Sequence, residues 1–424
     1  MGMWFASSQA VRKVGPEGHH DPWLLLAITG LVSFGIVMVA SSSIGVADGL
    51  HIGEFHYLKR HLLFLAVGGG IGTWIALRVE LDTIERQSGR LLLITLALLL
   101  AVFIPHIGMR VNGARRWLNL GVAGFQPVEL LKLTIVLYVA SYLVRHRSSV
   151  ETKFLGAVKP VLVAGFCAVL LLAQPDFGSA SLIGVITIAM LWLGGARMRN
   201  LVVMAMPLLP LGAWLAMSSD YRVERLKSFL DPWKDPFTNG FQLTQALIAV
   251  GRGKWFGVGL GDSVQKLFYL PEAHTDFILA VIAEELGFVG VMFVLALFAL
   301  LVGRGLQLGL RGVELGQQRA GYVAFGISMM LGLQSLISVG VNLGVLPTKG
   351  ITLPLISSGG SSTLMTCIML GVLLRAAYEI HQAEDARRMA TRRSPPQTGT
   401  DRTSAELPLA ARSRVEPGLG RARA

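Results

Sequence analysis

The chain has 424 residues, of which 53% are hydrophobic and only 15% charged, and its mean hydropathy is +0.58. Soluble domains carry roughly a quarter charged residues, so this composition excludes a disordered chain, a disulfide scaffold and an ordinary cytosolic enzyme. Its long apolar runs are continuous rather than alternating, which favours membrane-spanning helices over a β-barrel. The two cysteines, Cys167 and Cys367, lie inside such runs, and we expect no disulfide. The sequence therefore predicts an all-α polytopic membrane protein.

Ten stretches are long and apolar enough to approach the roughly 20 residues of a transmembrane helix. In chain order the predicted spans are 22–46, 61–77, 91–107, 128–144, 158–173, 178–194, 201–217, 276–303, 319–341 and 361–379. The first apolar run is too long for the core of a cleaved signal peptide, so residues 1–21 are interpreted as an N-terminal cytoplasmic segment. Together the spans define a membrane domain over 22–380.

Lysine and arginine set the orientation of these spans. With the N-terminus inside, the inner segments hold fourteen Lys and Arg residues before the C-terminal tail is counted, and the short outer loops hold six. Ten spans then place both termini in the cytoplasm. The net charge is +12, and ten of the 38 basic residues fall in the last 50 positions. This basicity suits an anionic membrane surface, and because no nucleic-acid-binding module accompanies it, we expect no nucleic-acid partner.

Two hydrophilic regions interrupt or follow the spans. Residues 381–424 are rich in Arg, Pro, Ser and Thr, which predicts a disordered cytoplasmic tail. Residues 218–275 form a long outer, periplasmic loop between the seventh and eighth spans. Its many aromatic residues indicate packing at the membrane interface rather than disorder. Within it, Phe241–Val250 is predicted to form a short amphipathic helix.

Ionisable groups inside or at the ends of spans are costly and suggest function. Glu129 and Lys132 are three residues apart at the start of the fourth span and lie on one helical face, where they can pair. Two interpretations stay open for them: a self-neutralising structural pair, or a lysine directed into a polar cavity. Asp176, in the sequence QPDFG between two spans, is either ordinary turn chemistry or a site residue.

Asp276 opens the eighth span in the sequence YLPEAHTDF. One interpretation makes Thr275 or Asp276 the N-cap of the helix. The other makes Asp276 a partly buried carboxylate whose raised pKa suits it to general-base catalysis. At 100° per residue, only Glu284 of the two acids further along this span shares a face with Asp276. Where they are buried, Glu284 and Glu285 must be paired or protonated, and we expect them to serve helix packing.

The last outer loop, residues 346–362, is dense in Pro, Gly and hydroxyl groups. Its Gly-Gly pair precedes a helix, an arrangement that offers backbone N–H groups to an anion such as pyrophosphate, and Lys349 adds a cation. Ordinary loop and capping chemistry remains the alternative. His274 with Asp276 offers too few ligands for a metal site. These residues together predict an outward-facing polar site for an amphiphilic anionic substrate, and a lipid-linked pyrophosphate fits it best.

Four separated motifs also resemble the SEDS (shape, elongation, division, sporulation) family. They read, in order, RRWLNLG with QPVELLK, QPDFGS, GRGKWFGVGLGDSVQKLFYLPEAHTDFILAVIAEELG and LPTKGITLPLISSGGSS, and the likeness covers about 22–380. YLPEAHTDF and PTKG are most similar to the division-type members. Val128 and Ser358 depart from the family's frequent QPSE and SYGGSS, but neither replaces a charged group.

The resemblance implies a peptidoglycan glycosyltransferase of the inner membrane. Such an enzyme polymerises lipid II on the outer face of the membrane at the division septum, with a class B penicillin-binding protein and other division proteins as partners. The family's essential acid corresponds to Asp276, its cavity lysine to Lys132 and its division-type loop lysine to Lys349. Further candidates for substrate binding are Arg115, Arg116, Glu129, Asp176, His274, Ser361 and Ser362.

Two other classes of function remain as alternatives, as does one cofactor. A flippase for a lipid-linked precursor needs polar groups through the membrane midplane, commonly in broken helices, whereas the candidates here gather at one rim and the spans show no matched interruptions. A non-catalytic division scaffold would leave the buried charges unexplained. No cofactor is required by the sequence, but a divalent cation, Mg²⁺ or Mn²⁺, would suit a pyrophosphate leaving group.

Overall fold

The structure, a computed structural model, describes residues 19–393 except 50, 52, 112–113, 120, 122–123, 208–209, 211–216, 218–219, 239, 268 and 349. The described helices are α1 (Pro22–Gly49), α2 (His56–Arg78), α3 (Leu81–Ala101), α4 (Pro127–Thr152), α5 (Phe154–Ala173), α6 (Phe177–Leu193), α7 (Met198–Ala205), α8 (Asp220–Leu230), α9 (Phe241–Gly253), α10 (Ile278–Glu314), α11 (Gln318–Asn342) and α12 (Gly360–Arg393). Three short strands are β1 (Gly108–Val111), β2 (Ala114–Asn119) and β3 (Gly124–Phe125). The predictions for Lys349 and for both chain ends, 1–18 and 394–424, fall outside the described residues.

Seven described helices are long and apolar enough to cross a membrane: α1, α2, α4, α5, α10, α11 and α12. The structure thus supports a polytopic membrane protein, while the count of ten spans is not confirmed. The sixth predicted span is a helix of only 17 residues, and the seventh is described as a helix only over Met198–Ala205. Helix α3 has 21 residues, but its first half is polar.

Helix α3 begins ten residues before the third predicted span, 91–107, and ends six residues before the end of that span. Helix α3 begins at Leu81, because its early polar residues can stay exposed at a membrane surface while the helix continues. It ends at Ala101, since Pro105 lacks the N–H group that would continue the helix and disfavours helical geometry at the residue before it.

The predicted helical class holds, but one predicted outer loop adds an element that was not predicted: three strands that form an antiparallel sheet in the order β1-β2-β3. Val111 pairs with Ala114 at the end of the β1–β2 hairpin. The sequence between them is Asn-Gly, the strongest short-range signal for a hairpin. Apolar run length does not detect this signal, so the hairpin was not predicted.

Helices α4 and α11 form the centre of the bundle. In the apolar parts of α4 and α11, 83% and 72% of the residues are buried, compared with 33% in α1 and α5. Helix α4 packs against α3, α5, α6 and α11, while α10 packs against α1, α9 and α11. Small residues allow close contacts elsewhere, as where Gly72 of α2 meets Gly371 of α12. This packing brings the start of α4 beside the end of α11, where the candidate site lies.

Helix α10 is broken at Gly287, which has φ 67° and ψ −162°. Residues 254–259 fill the break and form backbone hydrogen bonds across it, including Phe288 N to the Lys254 carbonyl (2.9 Å) and Val258 N to the Glu284 carbonyl (2.9 Å). A Cβ on Gly257 or Gly287 would collide with the opposite backbone, so both positions need glycine. This single break was not predicted, and the backbone groups that it frees are satisfied by hydrogen bonds to residues 254–259.

The long loop contains two helices, and the last helix continues beyond its predicted span. Helices α8 and α9 lie within residues 218–275, and α9 confirms the short helix predicted over Phe241–Val250. Helix α12 continues to Arg393, so residues 381–393, which we expected to be disordered, are helical. Residues 381–393 contain alanine, glutamate and arginine, which have high helix propensity. The helix can therefore continue beyond its apolar part. By packing, the chain separates into units 1–386 and 387–424.

Candidate functional site

The predicted pair of Glu129 and Lys132 is confirmed. Lys132 Nζ donates to Glu129 Oε1 at 2.8 Å, and both side chains are buried in the first turns of α4. Pro127 occupies the first turn, where its missing N–H group has no helical partner to lose. Glu129 Oε2 has no hydrogen-bond partner among the described residues, which leaves an acceptor for an incoming hydroxyl or amide group.

Lys132 is also linked to the last outer loop. Its Nζ donates to Gln334 Oε1 of α11 (3.0 Å), and Gln334 Nε2 donates to the Thr352 carbonyl (3.0 Å). Thr352 Oγ1 then contacts Ser362 Oγ at 2.9 Å. An ammonium group has three donors, and two are used here, so the third is available to a phosphate oxygen. Sequence reasoning missed Gln334, which nothing but its polarity within an apolar span marks out.

Asp276 lies immediately before α10 and is partly buried. Phe277 is the N-cap residue and no side chain caps this helix, so the capping interpretation of Thr275 and Asp276 was wrong. Burial first, and then the negative charge of Glu272, raise the pKa of Asp276 to about 7, against the opposing effect of the positive charge of Arg116. A carboxylate with such a pKa exchanges a proton near neutral pH, as a general base must.

The backbone around Asp276 is fixed by residues of the neighbouring elements. Asn342, fully buried at the end of α11, donates from Nδ2 to the Asp276 carbonyl (2.9 Å) and accepts the Ala280 N–H group at Oδ1 (3.1 Å). The loop approaches from the other side, because a Cβ on Gly350 would lie 3.2 Å from Asp276 Oδ2. Asn342 is a second positioning residue that sequence reasoning missed.

His274 is held between the loop and α2. Its carbonyl accepts the Ser358 N–H group (2.9 Å), and its ring lies 4.6 Å from the ring of Tyr57. Burial lowers the pKa of His274, so its imidazole is neutral at pH 7. Ser357 Oγ donates to the Thr275 carbonyl (2.7 Å). The loop and the segment that carries Asp276 are therefore joined by several hydrogen bonds.

The arginine pair of β2 divides into two environments. Arg115 is exposed, whereas Arg116 is half-buried and donates to the carbonyls of Gln174 and Pro175. Asp176 follows directly, and its carboxylate accepts the Ser179 N–H group (3.1 Å) as the N-cap of α6. The structural interpretation of Asp176 is therefore favoured. Arg116, rather than Arg115, is the cation whose charge acts on Asp276.

The two serines at the start of α12 also differ. Ser362 Oγ bonds to Thr352, while Ser361 Oγ is buried and has no partner among the described residues. Both follow Gly360, the first residue of α12, where backbone N–H groups lack helical partners. This end of α12 is suited to contact with anionic oxygens.

Glu284 and Glu285 are fully buried, and each is paired with a basic side chain of the preceding segment. Glu284 contacts Arg252 (3.2 Å), and it accepts the Val264 N–H group (3.2 Å). Glu285 contacts Lys266 (2.6 Å) and Ser41. Both acids tie residues 252–266 to α10 through these contacts.

Among the described residues, no group of three or more His, Cys, Asp or Glu side chains is arranged to hold a metal ion. The donor set nonetheless fits a pyrophosphate-bound Mg²⁺ or Mn²⁺, which keeps several water ligands and needs only one or two protein carboxylates. Glu272, whose charge acts on Asp276, is the carboxylate that would be available to such an ion.

Comparison with known proteins assigns the class. A family model described as "Cell cycle protein", of the FtsW, RodA and SpoVE proteins, matches residues 22–382. The chain therefore belongs to this family, which confirms the SEDS resemblance of its motifs. A protein of Xanthomonas oryzae pv. oryzae named probable peptidoglycan glycosyltransferase FtsW is 54% identical over 381 residues, which cover 90% of this chain and 77% of that protein. A protein of the same name from Coxiella burnetii is 47% identical over 85% of this chain and 96% of its own.

Solved structures show the same fold. One chain of a peptidoglycan synthase complex, studied for its coordination of polymerization and crosslinking, is 29% identical and superimposes with a TM-score of 0.69, covering 85% of this chain and 98% of that chain. Rod shape determining protein RodA of Thermus thermophilus is 26% identical with a TM-score of 0.61, covering 84% and 96%. Because its sequence relatives are named FtsW, the division-type likeness is confirmed as well.

Proposed function

We propose that this protein is a peptidoglycan glycosyltransferase that polymerises lipid II, with Asp276 as its general base. The observation that carries the proposal is a partly buried carboxylate whose pKa is about 7, placed in a site that also contains buried or half-buried cations. The names of the relatives support the activity, and the geometry supports the roles of the residues.

In the proposed reaction, Asp276 accepts the proton of the GlcNAc 4-hydroxyl of one lipid II molecule. The hydroxyl oxygen attacks the anomeric carbon of MurNAc in the growing strand, and the bond from that carbon to the pyrophosphate oxygen breaks. Inversion gives a β-1,4 link, and undecaprenyl pyrophosphate leaves with the electron pair. Deprotonation by a positioned base is worth roughly 10²–10⁴-fold in rate.

The leaving pyrophosphate needs positive charge and hydrogen-bond donors. Lys132 keeps one donor without a partner among the described residues, Arg116 lies within electrostatic range of Asp276, and Lys349 follows Thr348 in the adjoining loop. The N–H groups at the start of α12 and the hydroxyl of Ser361 add neutral donors. A bound Mg²⁺ or Mn²⁺ would neutralise pyrophosphate charge, with Glu272 as its protein ligand.

We propose that the active site faces the outside of the cytoplasmic membrane and that the protein works at the division septum. The excess of Lys and Arg in the opposite segments supports this orientation. A class B penicillin-binding protein is the proposed partner, because a related chain belongs to a peptidoglycan synthase complex that couples polymerization to crosslinking. Other division proteins are proposed partners on the resemblance alone.

Transport of a lipid-linked precursor is disfavoured by the broken helix itself. In transporters, unwound backbone lines a substrate cavity at the membrane midplane. Here the break at Gly287 is closed by residues 254–259, and the adjoining acids are occupied by Arg252 and Lys266. A pure scaffold would not need the partly buried acid Asp276 or the buried cation Lys132.

The test is polymerisation of lipid II by the purified protein with its cognate penicillin-binding protein, with glycan strands resolved on a gel. Asp276→Asn should remove detectable polymerisation, and Asp262→Asn, which changes an exposed acid of the same loop, should leave it unchanged. Rate against pH for the wild-type protein should rise through about pH 7. Near-native strands from Asp276→Asn would show that another residue is the base, and strands from neither protein together with lipid II translocation would overturn the enzyme assignment.

A further inference from the structure

A cavity lies far from the candidate site, between the first half of α3 and the second half of α4. Its volume is about 380 Å³, and its lining includes Arg86, Arg90, Ser88 and Arg145. Arg145 is about 20 Å further along α4 than Lys132, at 1.5 Å per residue. The cavity is therefore separate from the groups assigned to polymerisation.

The cavity carries an excess of positive charge. Arg90 donates only to the side chain of Gln87, and Arg145 donates to the carbonyl and hydroxyl of Ser141. Neither guanidinium lies within ion-pair distance of a carboxylate in the described part of the chain. The acid of the lining, Glu85, is neutralised by Arg319.

A buried hydroxyl group also points to a ligand. Ser88 is only 1% exposed, lines this cavity, and its Oγ has no hydrogen-bond partner among the residues described. A buried hydroxyl without a partner is costly, so its presence beside two guanidinium groups indicates that an acceptor fills the space between them. An oxyanion such as a phosphate group can accept hydrogen bonds from the Ser88 hydroxyl and from the guanidinium groups of Arg90 and Arg145.

The apolar surroundings indicate what carries the phosphate. Leu93 lines the same cavity and is 67% exposed, and the next residue, Ile94, is 54% exposed. The polar start of α3 thus gives way, at the cavity, to an exposed apolar helix face. A phospholipid places its headgroup and chains in that same order. Basic pockets between transmembrane helices on the cytoplasmic side are sites for anionic lipid headgroups, and the charge distribution puts this end of α3 inside.

We propose that this cavity binds the phosphate headgroup of an anionic phospholipid, with Arg90, Arg145 and Ser88 as its ligands and the exposed face of α3 along its acyl chains. The proposal does not depend on the catalytic role of Asp276.

Native mass spectrometry of the delipidated full-length protein tests it. Phosphatidylglycerol and phosphatidylcholine are titrated separately, and the apparent dissociation constant of the first bound lipid is measured. Phosphatidylglycerol should bind about tenfold or more tightly than phosphatidylcholine, and Arg90→Gln combined with Arg145→Gln should remove that preference. Arg311→Gln, an exposed arginine of α10 on the same predicted side, is the matched control and should keep it. An equal loss in the control, or no preference in the wild-type protein, would overturn the proposal.

Ser88→Ala guards against misfolding of the double variant. It removes a hydroxyl that has no protein partner, so the thermal midpoint without lipid should not fall, while the additional stabilisation by phosphatidylglycerol should shrink. Inorganic phosphate at matched ionic strength distinguishes the source of the anion. If it protects the protein as well as phosphatidylglycerol does, the site takes free phosphate and the lipid assignment is wrong. If Ser88→Ala keeps the full lipid effect, the assigned ligands are wrong.

Discussion

Asp276→Asn should stabilise the folded protein at pH 8 even though it removes activity. Folding raises the pKa of the Asp276 carboxyl from 3.8 to about 7, because burial disfavours its charged form. At 1.36 kcal/mol per pH unit, this rise corresponds to roughly 4 kcal/mol of free energy lost on ionisation, an upper bound for a partly exposed group. Asparagine has nearly the same shape and no charge, so it avoids this loss.

The sign follows from proton binding. Between pH 3.8 and about 7 the folded protein holds a proton on Asp276 that the unfolded chain has released. The stabilising effect is complete below the lower value and disappears as the pH rises through the higher one. Thermal unfolding midpoints in detergent, taken at one scan rate from about pH 5 to 8.5, should therefore favour the variant increasingly up to about pH 7 and by a constant amount above.

Asp262→Asn is the control, because it removes an exposed acid from the same loop and should show no such trend. A difference between Asp276→Asn and the wild-type protein that does not vary with pH would refute the reasoning. So would a variant that is less stable at pH 8, since that result would mean that the folded state stabilises the Asp276 carboxylate by pairing.

Three further outcomes are expected. Arg116→Gln removes a charge that lowers the pKa of Asp276, so the rise of polymerisation rate with pH should move to higher pH; a shift to lower pH in the measured profile would contradict the assigned electrostatics. Glu129→Gln leaves Lys132 buried without its anion and should lower the free energy of unfolding by about 3–5 kcal/mol, whereas adding Lys132→Met should recover part of this loss in the same denaturation assay. Gln334→Leu removes both hydrogen bonds that link Lys132 to the loop and should lower kcat by about tenfold. Gln334→Glu keeps an acceptor for Lys132 and should retain more activity than Gln334→Leu. If the two variants have the same kcat, Gln334 is not part of the site.

The sequence was sufficient for the class of fold and for the main charged groups of the site. Apolar run length is set by the membrane itself, so most spans were found. The pair of Glu129 and Lys132 followed from helical spacing alone, which is local. The likeness of the motifs to one family then gave the activity, which no periodicity could supply.

Contacts between distant parts of the chain could not be predicted in this way. Gln334 and Asn342 face the site only because α11 ends beside α4 and α10, and neither residue belongs to a recognisable pattern. The break at Gly287 depends on a segment about 30 residues earlier that enters the helix. The hairpin at Val111 is different, because its Asn-Gly turn is a local sequence signal. The pattern of apolar spans contains no information about such a turn.

The closed break in α10 has a mechanical consequence. Residues 254–259 follow α9 directly and are hydrogen-bonded to both sides of Gly287, and Arg252 of α9 holds Glu284. A force applied to α9 is thus transmitted through a short, stiff connection to the first turns of α10. Asp276 immediately precedes those turns, so displacing this outer helix would displace the proton acceptor too. Residues 254–259 therefore couple movement of α9 to the position of Asp276.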